Sequence, residues 1–143
     1  MGLEGLFRLV RPMNTINRIL GEAKKVRPPT EREQTDPVLA YTYAINVIEG
    51  RFPEGEEAIA TNPWSAYRYA RDVIKGRWPE GEAVIATDPY SAYNYAINVI
   101  GGRWPEGEAA IATEPDWAKY YLEAHPEAKR EWVLRGYLDW FDL

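Results

Sequence analysis

The chain has 143 residues, of which 45% are apolar and 27% charged, with a net charge of −5 and no cysteine. These values suit one domain with its own core. They exclude a disordered chain, disulfides, thiolate metal sites and a cysteine nucleophile. The charge is graded: residues 1–35 hold 7 basic and 4 acidic side chains, residues 36–114 hold 6 and 12, and residues 115–143 hold 4 and 6.

The N-terminal stretch is not expected to be a signal peptide or a membrane span. Arg8 and Arg11 interrupt the short apolar run around Leu6–Val10, and no apolar run approaches the roughly 20 residues a span needs. Leu3–Val10 reads as a short helix. Thr15–Val26 reads as a second, with Ile16, Ile19, Leu20 and Ala23 on one face. Arg18, Lys24, Lys25 and Arg27 form a basic patch, either a solvated cap face or a secondary contact for an acidic protein or nucleic acid. Pro12 and Pro28 precede Pro37 and Pro53 by 25 residues, and Pro28–Thr35 lacks apolar positions. Residues 1–35 are therefore expected to be a degenerate first repeat whose polar side caps a stack.

From residue 36 a 26-residue period takes over. Pro37, Pro63, Pro89 and Pro115 follow it, as do Gly50, Gly76 and Gly102, and Arg51, Arg77 and Arg103. Asp36, Asn62 and Asp88 precede the first prolines, an N-cap followed by a residue with no N–H to satisfy. A helix of about 13 residues should follow, ended by Gly50, Gly76 or Gly102 in the left-handed conformation. Its apolar face is Ala40, Tyr41, Ala44, Val47 and Ile48. Pro53, Pro79 and Pro105 open a second, shorter helix with two glutamates in its first turn, at 54 and 56, 80 and 82, and 106 and 108, where carboxylates favour the dipole. Ile59, Ile85 and Ile111 should bury, and Phe52, Trp78 and Trp104 should plug the turn between layers. So short a helix cannot stand alone, so stacking is required.

After Thr113 the pattern changes. Pro115 starts a fourth first-helix that Pro126 cuts short, and Pro126 is expected to open a longer closing helix with Leu134, Tyr137, Leu138 and Phe141 on one side. The expected fold is all-α: a short right-handed α-solenoid of helix pairs, with a basic N-terminal cap at 1–35, three repeats at 36–114 and a C-terminal cap at 115–143, together one folded domain.

Few residues suggest chemistry. His125 is the single histidine and lies at a helix junction before Pro126, which does not make a metal site. Ser65 and Ser91 are repeat-equivalent and lack a glycine elbow. The paired glutamates recur identically, whereas an acid–base pair needs one asymmetric environment. Dipole compensation and ion pairs with Arg51, Arg77 and Arg103 account for them. The Gly-Arg-aromatic-Pro turn pairs a cation with a stacking ring, but the glutamates beside it would repel phosphate. No enzyme, cofactor or metal is expected.

The positions at which the copies differ are more informative. Thr42, Arg68 and Asn94 are equivalent, as are Ile45, Arg71 and Ile97, and Asn46, Asp72 and Asn98. Glu49, Lys75 and Gly101 complete the set. Offsets of three, four and seven place these on one stripe of the first helix. A uniform framework with a variable stripe is how repeat scaffolds carry specificity, so the first nine of these residues are the expected partner-binding set.

The copies at 65–82 and 91–108, S-A-Y-x-Y-A-x-x-V-I-x-G-R-W-P-E-G-E, resemble a tandem repeat of largely uncharacterised accessory proteins of tailed bacteriophages. The resemblance covers about residues 36–124, and the chain departs from the pattern after Leu122. It implies a phage accessory protein acting in the bacterial host cytoplasm, and transfers no catalytic residue. The expected function is a protein–protein interaction scaffold that modulates or inhibits a host or defence factor, as a monomer or small homo-oligomer. The alternatives are a nucleic-acid binder using the basic N-terminal helix and the repeat arginines, and a self-assembling structural protein.

Overall fold

Each repeat begins where a capping side chain meets a proline, and a computed structural model, which describes residues 26–139, places all three such starts as expected. The Asp36 carboxylate accepts the N–H groups of Val38 and Leu39 at 2.9 Å. Asn62 and Asp88 accept those of Ser65 and Ser91. The expected helix at Leu3–Val10, nearly all of Thr15–Val26, and Arg18, Lys24, Lys25 and Phe141 lie outside the described residues.

In chain order the helices are α1 (Glu31–Thr35), α2 (Pro37–Tyr43), α3 (Pro53–Ile59), α4 (Pro63–Tyr69), α5 (Pro79–Ile85), α6 (Pro89–Tyr95), α7 (Pro105–Ile111), α8 (Pro115–Ala124) and α9 (Lys129–Leu134). The first helices of the repeats, α2, α4 and α6, each continue into a π-helical turn, at Ala44–Ile48, Ala70–Ile74 and Ala96–Ile100. The fold is an all-α stack of repeated helix pairs. First helices pack side by side in one row ending at α8, and each second helix lies against the first helix of its own repeat. Ala40, Ala44, Ala66, Ala70, Ala92 and Ala96 are fully buried, because only small side chains let neighbouring helices approach this closely. Ile59, Ile85 and Ile111 are fully buried, as are the turn aromatics Phe52, Trp78 and Trp104 to within 2%.

The end of each first helix differs from expectation. The left-handed residue is not Gly50, Gly76 or Gly102 but the residue before it: Glu49, Lys75 and Gly101, with φ of 56°, 59° and 72°. The cause is the π turn. The Ala44 carbonyl receives the N–H of both Glu49 and Gly50, and Ala70 and Ala96 repeat the arrangement. Widening the last turn moves the reversal one residue earlier. Two of the three copies therefore hold a side chain where a left-handed conformation costs about 1–2 kcal/mol.

A second glycine series has a clearer purpose. Gly55, Gly81 and Gly107 are buried inside the second helices, and a Cβ on them would lie 2.3–2.4 Å from the ring of Phe52, Trp78 or Trp104. The aromatic ring lies directly on the helix backbone, and glycine is the residue that permits it.

The ends are capped in two ways. At the N-terminal end α1 buries no residue, and Thr30 and Glu33 form a reciprocal capping box. At the C-terminal end the chain does not form the expected long helix after Pro126. It makes a 3₁₀ turn at Pro126–Ala128 and then the six-residue α9, which Gly136 ends in the left-handed region. Leu134 faces outward, while Tyr137 and Leu138 pack on the core. Trp132, fully buried, is the side chain that closes the stack.

Candidate interaction surface

The repeated ionisable groups are joined into one recurring lock. Arg51 donates two hydrogen bonds to Glu56, each at 2.8 Å. The same glutamate accepts the hydroxyl of Tyr69 from the next repeat at 2.7 Å, and that hydroxyl accepts the Phe52 N–H at 2.8 Å. The set recurs as Arg77, Glu82, Tyr95 and Trp78, and as Arg103, Glu108, Tyr121 and Trp104. Each of these tyrosines is fully buried, and its burial raises the phenol pKa above the usual value. Burial also opposes ionisation of Glu108, but the hydrogen bonds from Arg103, Trp132 and Tyr121 outweigh it and hold the carboxyl below its ordinary range. Glu82 is lowered chiefly by Arg77. The tyrosine hydroxyl ties the arginine–glutamate pair and the turn backbone of one repeat to the first helix of the next, so these groups work as joints. At the first joint Tyr43 donates instead to the Arg27 carbonyl, and the Arg27 guanidinium pairs with Glu33. Arg27 thus belongs to the cap joint.

A second line of joints runs through the stripe. The first tyrosine of each motif reaches the next repeat. Tyr41 donates to Asp72 at 2.8 Å, and the Asn98 amide donates to the Tyr67 hydroxyl at 2.9 Å. Positions 72 and 98, which the sequence offers as partner contacts, are therefore tied into the stack. Asp72 also accepts two bonds from Arg71, which lower its carboxyl below the ordinary range, and Arg71 bonds Tyr67 at 3.0 Å as well. Asn94 bonds the Tyr90 carbonyl and Thr42 the Val38 carbonyl. Ile45 is half-buried against the core, Asn46 is exposed, and Ile97 is 40% exposed.

What the stripe leaves open lies one turn earlier. Val38, Trp64 and Tyr90 are the equivalent residues after the helix-starting prolines, and all three are exposed, Trp64 by 38% and Tyr90 by 42%. The two rings join across the repeats. Trp64 lies 5.2 Å from Tyr90, Tyr90 lies 5.1 Å from Trp117 of α8, and Trp117 contacts Tyr93 and the exposed Tyr120. The result is a continuous ridge of aromatic side chains across the first-helix row, exposed at Trp64, Tyr90 and Tyr120 and half-buried at Trp117, with the open part of the stripe (Thr42, Asn46, Arg68 and Ile97) beside it. The sequence carried the signal, since position 38 and its equivalents vary as much as the stripe and stand four residues before it.

Two grooves flank this surface. One, of about 360 Å³, is lined by Ile45, Glu49, Asp72 and Lys75 between the first two π turns. The other, of about 600 Å³, lies at the C-terminal cap between Ala118, Leu122, Pro126 and Leu138. Among the described residues no cluster of three metal-ligating side chains occurs. His125 caps α8 and packs at a tilt against the Tyr121 ring. No helix among them is long and apolar enough to cross a membrane. Comparison with protein-family models, with curated proteins and with solved structures finds no match to this chain.

Proposed function

We propose that the protein is a non-enzymatic binding scaffold that presents its first-helix face to a protein partner. The observation that carries this is the aromatic ridge in which the exposed Trp64, Tyr90 and Tyr120 are joined through the half-buried Trp117. Exposed aromatic area in contiguous form is uncommon on a monomer's surface, and Trp, Tyr and Arg dominate the energetics of protein interfaces. The repeat arginines support a nucleic-acid reading less well, because Arg51, Arg77 and Arg103 are each fork-bound to a glutamate. On the resemblance of the repeat to those of tailed-phage accessory proteins, the partner is a host or defence factor in the bacterial cytoplasm, which binding would modulate or inhibit.

The test is affinity capture from bacterial lysate with the full chain, the Trp64→Ala/Tyr90→Ala variant and the Ile97→Asp variant, which leaves the half-buried Ile45 in place. Both variants are expected to keep the helical circular-dichroism spectrum and to lose the captured protein. Capture that survives both sets of substitutions removes the first-helix face from consideration.

A further inference from the structure

Five arginines lie in the three repeats, and four of them are committed. Arg51, Arg77 and Arg103 hold their glutamates, and Arg71 holds Asp72 through two bonds. Arg68 is different. Among the described residues its guanidinium makes no hydrogen bond, and the nearest carboxylate, Asp72, stands 3.8 Å away with its oxygens already taken by Arg71 and Tyr41. It is held by stacking instead, 4.6 Å above the Tyr41 ring and 5.8 Å from the Trp64 ring. The side chain is 39% exposed and stands beside the aromatic ridge.

A guanidinium fixed by two rings, with its five donors free, is preorganised for a planar anion. Little rotamer entropy remains to be lost when an anion docks, and a carboxylate matches the fork with two parallel bonds. We propose that Arg68 is the receptor for an aspartate or glutamate of the protein partner. The docked segment carries that carboxylate next to aromatic or aliphatic anchors that lie along Val38, Trp64 and Tyr90. The inference rests on the scaffold reading above and specifies the chemistry of its partner. Phosphate of a nucleic acid would fit the same fork, but the surroundings disfavour it. Single-strand binding needs a cationic track along the backbone, whereas the other four repeat arginines are each bound to a carboxylate of the fold. The apolar flank formed by Val38 and Ile97, both exposed, suits a protein segment.

The test uses the purified full chain against a displayed library of random twelve-residue peptides, followed by fluorescence anisotropy of a labelled selected peptide. Selected peptides are expected to share an acidic residue within a few positions of an aromatic or aliphatic one. Arg68→Gln should weaken the selected peptide about tenfold or more, the scale of a charge-assisted fork. Replacing the acid of the peptide by its amide should weaken binding to the natural chain equally and have no further effect on the variant. Binding that is lost in Trp64→Ala/Tyr90→Ala but unchanged in Arg68→Gln overturns the role of Arg68 and leaves the scaffold reading standing. Absence of any selected peptide, or Arg68-dependent binding of a labelled twenty-residue oligothymidylate in its place, overturns both.

Discussion

The same lock is built three times in this protein, and its last copy differs from the other two. At the first two joints the pairs Arg51–Glu56 and Arg77–Glu82 are partly in water, the arginines 56% and 53% exposed and the glutamates 17% and 16%. At the last joint Arg103 is 22% exposed and Glu108 fully buried. The difference comes from the C-terminal cap. Trp132 covers Glu108 and donates its indole N–H to it at 2.9 Å, and Glu131 adds a second carboxylate to Arg103. Identical repeat residues thus acquire different energetics from what lies over them. A half-exposed ion pair contributes little, whereas breaking a buried one leaves a charge without compensation.

Removing the charge at each joint should separate the two cases most strongly. Glu108→Gln is expected to cost about 3 kcal/mol of unfolding free energy in urea, and Glu82→Gln about 1 kcal/mol. Equal losses would show that burial by the cap contributes nothing. Acid should report the same asymmetry. Glu56, Glu82 and Glu108 all have folded pKa values below the ordinary 4.5. Their contribution is therefore complete above that value and is lost as pH falls through the lowered folded values. The urea midpoint should drop progressively below about pH 4.5, and the drop should be smaller in Glu108→Gln. A midpoint equally acid-sensitive in that variant and the natural chain would argue against Glu108 as a main source.

The two glycine series offer a smaller contrast. Gly81→Ala drives a Cβ into the Trp78 ring, while a Cβ on Gly76 meets nothing within 4 Å. The first should lower the thermal midpoint by an amount equivalent to about 2 kcal/mol of overpacking, and Gly76→Ala should leave it nearly unchanged. The smallest effect has the opposite sign. Lys75 holds a left-handed conformation that Gly101 occupies in the next repeat. Lys75→Gly should therefore raise stability by about 1 kcal/mol, measurable as a higher urea midpoint. A lower midpoint would mean that the lysine side chain makes a compensating contact.

Much of this architecture was legible in the residues. Prolines after Asp36, Asn62 and Asp88, buried isoleucines at the 26-residue period and the aromatic turn all stand where the repeat predicts. Three features were not legible. The π turn depends on how carbonyls are shared at a helix end, and no residue type marks it. The second tyrosine of each motif shares a face with the alanine three residues before it, so Tyr69, Tyr95 and Tyr121 read as core, and nothing in the pattern shows that their hydroxyls bond the glutamate and turn of the preceding repeat. The closing tryptophan works by tertiary contact with Glu108, twenty-four residues away. The candidate surface was half legible. Variation between copies located the stripe, but pattern alone could not distinguish Asp72 and Asn98, bound to neighbouring repeats, from Arg68 and Ile97, which remain open. The exposed rings at Trp64 and Tyr90 lay one turn before the stripe, where the copies also vary, but their union into a ridge depends on contacts across repeats.

The division between repeated joints and an open first-helix ridge can be tested directly in living bacteria. A photo-crosslinking phenylalanine analogue is placed at Tyr90 on the ridge, or at the exposed Glu80 in the first turn of α5, and cells are irradiated. A discrete crosslinked protein is expected from position 90 and none from position 80. Crosslinking from position 80 with none from position 90 would contradict the division.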